Sequence, residues 1–298
     1  MPKRLVVIGG GPAGCEMSQA LHALGAREVT IVVADDRLLE RAEPFAGDLV
    51  AKGLAGAGVD VRLGVGVTGA TRNGSVTVTL DDGTAVEAAE VLAATGRVPR
   101  TDDIGLESVG LTPGSWLDVD DTMRVTAVDG GWLYASGDVN HLALLTHMGK
   151  YQGRVCGDVI AARAKGLPDD GPALRDTADD RGAPQAIFTD PQVCMAGLTE
   201  SNARAEGFTV RAVEYDMGAV PGAALQADGY TGRAKAVVDE DRRVLLGVTF
   251  VGPAVVGHLY AATIAVTAEI PLDQLWHAVP AFPTTSEIWL RLLQAYGL

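Results

Sequence analysis

Residues 9–14, Gly9-Gly10-Gly11-Pro12-Ala13-Gly14, have the spacing GxGxxG. The chemistry open to such a run is anion binding. Gly9 is expected to make a tight turn, Gly11 to let the backbone approach a pyrophosphate, and Gly14 to let helix and strand pack closely. The pyrophosphate would sit at a helix N-terminus, where free N–H groups and the helix dipole favour negative charge. A bare glycine-rich turn without a ligand is the plainer alternative. The context weighs against it, because a β-branched run precedes the glycines directly and helix formers follow them directly. Such a turn is usually partnered by an acid about 20 residues on, which hydrogen-bonds a ribose. Here the next strand ends Val32-Val33-Ala34-Asp35-Asp36-Arg37, and Val33 stands where the acid usually does. Asp35 or Asp36 can replace it, Arg37 can meet a 2′-phosphate, or all three are ordinary loop charges. NAD and NADP both stay open.

The other reactive residue types are sparse. Cys15, Cys156 and Cys194 form no CxxC pair, and there is no GxSxG, no HExxH and no Cys/His metal spacing. Cys15 lies just inside the first helix, whose N-terminus lowers a thiol pKa. Its neighbours Met17 and Ala20 favour a small packed residue instead. An odd, sparse cysteine count argues against a disulfide scaffold and points to a reducing compartment, with the cytoplasm as the expected location.

These residues need elements to hold them. Arg4 to Ile8 reads as a buried parallel strand, 13–25 as a helix and Glu28 to Val33 as a second strand, together one βαβ unit. Pro44 to Ala57 reads as a helix and Val59 to Leu63 as a strand. Val67–Ala70, Ser75–Leu80 and Ala85–Ala94 then alternate, separated by the hairpin signals Asn73-Gly74 and Asp81-Asp82-Gly83. A strand is expected at Trp132–Ala135 and a helix from Thr146 to Lys165. Residues 166–182 are rich in Gly, Pro and Asp and read as an exposed linker. Beyond it, strands are expected at Gln185–Thr189, Thr209–Tyr215, Gly232–Asp239 and Val244–Val251, with helices at 199–206, 253–268, 271–277 and 285–295. The fold class is α/β: a Rossmann-like domain followed by an α+β domain.

Composition fits that reading. The chain has 298 residues, enough for about two domains. Its 24 Lys+Arg against 38 Asp+Glu leave a net charge of −14, which repels a phosphate backbone and disfavours nucleic acid as a partner. Leu5 to Ile8 runs straight into glycines, so no signal peptide is expected. The apolar stretch Tyr260 to Ala268 is too short for a span of about 20 residues, so no membrane span is expected.

At this point the ordered motifs become specific. GGGPAGCE (9–16), ATGRVPR (94–100), YASGDV (134–139) and LLTHMGKYQGR (144–154) are followed by APQAIFTDPQVCMAGLTE (183–200) and FPTTSE (282–287). Together they resemble the pyridine nucleotide-disulfide oxidoreductase family, which includes lipoamide dehydrogenase, glutathione reductase and mercuric reductase. The resemblance covers essentially the whole chain. It implies an NAD(P)-binding domain over 1–113, the closing part of an FAD domain over 114–166, a linker over 167–182 and a dimerisation domain over 183–298. It also implies a chain lacking the first half of the FAD domain, with the first GxGxxG and the redox-active cysteine pair. The family's NAD(P) contacts carry over to Gly9, Gly10, Gly11, Pro12, Ala13, Gly14, Cys15 and Glu16, to Val33 in the ribose position, to Val67 and to Gly96. Its FAD contacts carry over to Asp138, Leu144, Leu145, Thr146 and His147. A carboxylate after glycine suits a sugar-like hydroxyl of the flavin chain, and a helix N-terminus at 146 suits the flavin's electron-rich edge.

The sequence departs from the family at one reactive position. Disulfide-reducing members end in HPTxSE, with His as acid/base and Glu orienting it. Here the segment is Phe282-Pro283-Thr284-Thr285-Ser286-Glu287, and Phe282 cannot move a proton. His277 lies five residues earlier and reads as a helix-end residue beside Trp276. No catalytic side chain and no metal ligand is assigned. The resemblance then implies hydride transfer from a nicotinamide to FAD and on to a small-molecule electron acceptor of quinone type, in a homodimer joined through 183–298. The alternative is a non-catalytic NAD(P)-binding and dimerisation module that needs a partner chain to hold flavin.

Overall fold

Leu5, Val6 and Val7 are buried in succession, as a strand covered on both faces requires, and Arg4–Ile8 forms β1. β1 pairs in parallel with β2 (Glu28–Val32) and β7 (Glu90–Ala93), and β3 (Asp60–Arg62) lies outside β2. Parallel neighbours need crossovers. The first is α1 (Pro12–Ala23) and the second is α2 (Pro44–Gly56). β4 (Val67–Asn73), β5 (Ser75–Leu80) and β6 (Ala85–Ala88) make a separate three-stranded meander. Gly74 and Gly83 turn its hairpins at φ +78° and +83°, a backbone region that favours glycine. Val6 and Val32 pack on Val76, Val78 and Leu80 of this meander. The other face, through Val7 and Ile31, packs on Cys15, Ala46, Val50 and Leu54.

The structure, a computed structural model, describes residues 1–178 and 182–298. Residues 179–181 of the expected linker lie outside the described residues. The chain divides into two compact units, residues 1–96 with 184–298, and residues 97–183.

In the first unit, β8 (Gln185–Ile187), β9 (Gln192–Gly197), β10 (Val210–Asp216), β11 (Arg233–Asp239) and β12 (Val244–Gly252) form an antiparallel sheet in the order β10-β11-β12-β9-β8. β11 and β12 are joined by a hairpin through Glu240-Asp241-Arg242, between the two strands expected there. β9 was absent from the strands expected of the sequence, although it pairs with both β8 and β12. The helix expected over 253–268 divides into a 3-10 turn, Val255–His258, and an α-helix, Leu259–Thr267. Phe250 is fully buried, with Trp289 edge-on at 5.3 Å between ring centres. Ile187, Val193 and Val251 join the core around Ile31 and Leu54, so the antiparallel sheet and the βαβ sheet share one core.

The second unit holds α3 (Thr146–Ala164) and a cluster of Leu106, Leu117, Val125 and Ala135. Leu106 and Leu111 pack in this cluster, so the unit begins well before residue 114. The strand expected at Trp132–Ala135 is not one. Tyr134 makes a single antiparallel bridge to Arg124, and no ladder extends from it. Gly130 and Gly131 at φ +84° and +56° bend the chain just before it, and Trp132 is exposed.

Candidate functional site

The glycine turn follows β1 directly, and packing explains three of its four glycines. Gly9 has φ +112°, and a Cβ there would lie 2.4 Å from the Ala94 carbonyl oxygen. A Cβ at Gly14 would lie 1.9 Å from the Gly9 carbonyl oxygen, where helix meets strand. At Gly10 it would meet Val33 Cγ1 at 2.6 Å. Gly11 is different, because nothing lies within 4 Å of a Cβ built on it. The fold itself does not require glycine at 11, whereas close approach of a ligand to the backbone would.

α1 begins beside this gap. Gly11 is its N-cap in extended conformation, no side chain caps it, and Pro12 follows. The first N–H groups of a helix have no partner within it, so those of Ala13 and Gly14 are available to an anion. A dinucleotide pyrophosphate fits this turn on two counts: an open glycine and an uncapped helix start.

The side chains around the turn have fixed partners. Cys15 is fully buried, its thiol donates to the Gly10 carbonyl at 3.4 Å, and burial pushes its pKa up to about 12. That thiol packs the turn and is not a nucleophile. The Glu16 carboxylate accepts the Phe188 N–H at 2.8 Å. Gln19 accepts from the Asp190 N–H at 2.7 Å and donates to the Asp190 carbonyl at 3.1 Å. α1 is thereby tied to the segment before β9. Val33 is 1% exposed and packs on Gly10. Val65 N–H donates to Val33 O at 3.0 Å, and Val67 begins β4 two residues on. Gly96, at φ +120° and exposed, follows β7.

The flavin-side residues lie in the second unit. Asp138 is exposed and begins a 3-10 turn after Gly137 at φ +82°. The chain continues to Leu144 and to Leu145, the extended N-cap of α3, which no side chain caps. Thr146 and His147 open α3 and are exposed. Gly137 approaches α3 closely: a Cβ on Gly149 would lie 3.2 Å from Gly137 Cα. Buried Gln152 accepts from the Gly137 N–H at 2.8 Å and from Asn140 Nδ2 at 3.0 Å, fixing the turn on the helix. Arg97 bridges the two ends of this loop. Its Nη1 donates to the Leu144 carbonyl at 2.6 Å and lies 3.5 Å from Asp138 Oδ2. Arg97 and Gln152 were assigned no role from sequence, although both stand inside motifs that carry the family resemblance. An exposed carboxylate and an uncapped helix start fit the flavin contacts the resemblance implies.

At the C-terminal end, Phe282 is 74% exposed at a cis peptide bond to Pro283. Glu287, in the first turn of the last helix, is buried, with Oε2 lacking a hydrogen-bond partner. His277 is exposed at the end of its short helix. A cavity of about 430 Å³ lies between α2 and β10–β11, lined by Phe45, Lys52, Glu214 and Arg233 among others, and includes no expected site residue. Beside it, buried Lys235 meets Glu43 at 2.9 Å, Glu200 at 2.7 Å and Glu214 at 3.7 Å. Burial works against the Lys235 charge, yet its hydrogen bonds to Glu200 and Glu43 outweigh it and raise the pKa. Among the described residues, no group of three His, Cys, Asp or Glu could hold a metal ion, and no helix is long and apolar enough to cross a membrane.

A parallel βαβ sheet with a glycine turn at β1, sharing one core with an antiparallel sheet, is a Rossmann-type α/β arrangement. The chain belongs to the pyridine nucleotide-disulphide oxidoreductase family, whose model matches residues 1–166, while the family's dimerisation domain matches residues 183–292. Members of the family use FAD and NAD(P)H. A dihydrolipoyl dehydrogenase of Haloferax volcanii is 32% identical over 295 residues, 96% of this chain and 59% of that protein. A mercuric reductase of Staphylococcus aureus is 30% identical over 291 residues, 96% of this chain and 51% of that protein. The solved structure of LpdA from Mycobacterium tuberculosis has a TM-score of 0.82 at 27% identity, covering 100% of this chain and 62% of that one. HOCl-induced flavoprotein disulfide reductase RclA from Escherichia coli gives 0.80 at 25% identity, covering 98% and 65%. The chain thus spans between half and two thirds of the length of these relatives.

Proposed function

We propose that this chain works in a flavin-dependent NAD(P)H oxidoreductase that passes electrons to a quinone-like acceptor and performs no disulfide step. The observation that carries the last part is Phe282. The position where disulfide-reducing relatives place their acid/base histidine holds an exposed benzyl side chain, and the buried Glu287 has no imidazole to orient there. Two thiols within this chain are unsuited to such a step. Cys15 and Cys194 are buried, and burial raises both to about 12, so neither is a thiolate at neutral pH. Three free cysteines also support a reducing, cytoplasmic setting.

In this reading the N–H groups of Ala13 and Gly14 hold the dinucleotide pyrophosphate, and Gly11 leaves room for it. Asp138 holds a hydroxyl of the flavin chain, and Arg97 orients that carboxylate. The start of α3 at Thr146 and His147 places a helix dipole where negative charge accumulates. Flavin, when bound, would supply the redox chemistry that links the nicotinamide to the acceptor. Residues 183–298 join two copies, as the match to the dimerisation domain supports.

The reading is tested by NADH and NADPH consumption in the presence of FAD, with a soluble benzoquinone or with lipoamide as acceptor. Quinone reduction without lipoamide reduction is expected. Lipoamide reduction at a comparable rate would overturn the proposal.

A further inference from the structure

We infer that the cavity between α2 and the β10–β11 ladder binds a small dipolar ion, an apolar free amino acid, with Lys52 and Asp48 as its charge partners. The inference rests on neither the dinucleotide reading nor the flavin reading, because the cavity includes no residue of either site. It encloses about 430 Å³, toward the lower end of the roughly 300–1,000 Å³ of small-molecule sites. Its α2 wall follows from helix spacing. Phe45, Asp48, Leu49 and Lys52 stand at i, i+3, i+4 and i+7, and so share one face. Buried Phe45 and half-buried Leu49 give that wall its apolar part. The ladder supplies the other wall, through Glu214, Asp216 and Arg233.

Charge compensation decides the ligand class. Arg233 stands opposite Asp216 in the ladder register. Its guanidinium nevertheless pairs with Glu214 at 3.2 Å and lies 5.7 Å from the Phe45 ring centre. Glu214 takes a second cation, Lys235, at 3.7 Å. The charges of Arg233 and Glu214 are therefore compensated within the chain. Asp216 accepts the Gly218 N–H on Oδ1 at 2.8 Å. Asp48 and Lys52 differ from these. An acid four residues before a Lys on a helix ordinarily pairs with it. Here both are exposed, and neither forms an ion pair among the described residues. One helix face thus offers a free carboxylate and a free ammonium beside apolar surface. A simple anion would gain Lys52 but meet Asp48 and Asp216. A simple cation would gain those carboxylates but meet Lys52. A molecule carrying both a carboxylate and an ammonium satisfies the two together, because an ammonium only donates and a carboxylate only accepts. Its hydrocarbon side chain lies against Phe45 and Leu49, where burial of apolar surface is favourable.

The test is calorimetric titration of the purified chain with L-leucine and, separately, with its two single-charge analogues, isoamylamine and isocaproate. Leucine is expected to bind saturably, with a dissociation constant of about 1 mM or below. Each analogue is expected to bind at least about tenfold more weakly, since each forfeits one charge-assisted contact. Lys52→Met and Asp48→Asn, both at exposed positions, are expected to melt like the parent and to weaken leucine about tenfold. The analogue comparison needs no variant, so it stands even if a substitution disturbs folding. No saturable leucine binding would overturn the inference. An analogue binding as tightly as leucine would overturn it too, by showing a simple cation or anion site. Undiminished leucine binding in either variant would place the ligand elsewhere and overturn it as well.

Discussion

Gly11 and Gly14 are the same residue type three positions apart, yet they serve different ends. The Gly14 Cβ position is taken by the Gly9 carbonyl oxygen at 1.9 Å, and backbone cannot give way there. Gly14→Ala is therefore expected to lower stability by about 1–3 kcal/mol or more, measured by denaturant melts. Gly11→Ala meets no atom within 4 Å. It is expected to melt like the parent while losing about tenfold or more in nucleotide affinity. Equal melts for the two variants would contradict the assignment of one glycine to the fold and the other to the ligand. The cysteines make a second residue-scale case. With Cys15 and Cys194 raised to about 12 by burial, brief alkylation of the native protein should label Cys156 alone, as read by mass spectrometry. The GxGxxG spacing was legible in the sequence because each glycine has a steric or ligand-borne reason. Arg97 was not, because its partners, the Leu144 carbonyl and Asp138, lie more than forty residues away in the chain.

Among elements, those with strong local signals were legible. The βαβ unit, the meander turns and the β11–β12 hairpin follow from apolar runs bounded by glycine and charge. β9 was missed because Gln192–Gly197 shows no alternation. Val193, Cys194 and Ala196 are all buried, on both faces of a strand inside its sheet. Trp132–Ala135 failed the other way, with strand-like residues but no neighbouring strand to pair with. The Lys235 cluster is an element-scale joint invisible to any window of sequence. It ties the start of α2, through Glu43, to β11, to Glu214 of β10, and to the helix at Glu200. Lys235→Met leaves carboxylates without their cation, and is expected to cost about 3 kcal/mol. That lies at the low end for a buried pair, because Glu200 and Glu214 are partly exposed. The pH dependence has a defined sign. Hydrogen bonds from Lys235, then Arg204, hold Glu200 below its ordinary value of 4.5. Its contribution is present above that value and lost as pH falls through the lower, folded one. Lys235, raised above 10.5, contributes fully below that value, and its share is lost only as pH rises through the folded one. Lys235→Met should therefore flatten the acid limb of a stability–pH curve, while leaving the neutral plateau lower but level.

For the whole molecule, one core joins residues 1–96 with 184–298, although nearly ninety residues of chain separate them. The expected dimer is a claim at this scale. Exposed Tyr260, Ile264 and Val279 are apolar surface in the dimerisation-domain match. Sedimentation should give twice the chain mass of 30.9 kDa, and a monomer at micromolar concentration would contradict the homodimer. The central proposal is that electrons leave flavin for the acceptor without passing through a protein disulfide. Its most direct measurement is an anaerobic titration of the FAD-loaded protein with NADH, followed by flavin absorbance and by thiol count. The account predicts complete flavin reduction at one equivalent of NADH per chain, with no new thiols. Uptake of a second equivalent, with two thiols appearing, would contradict it.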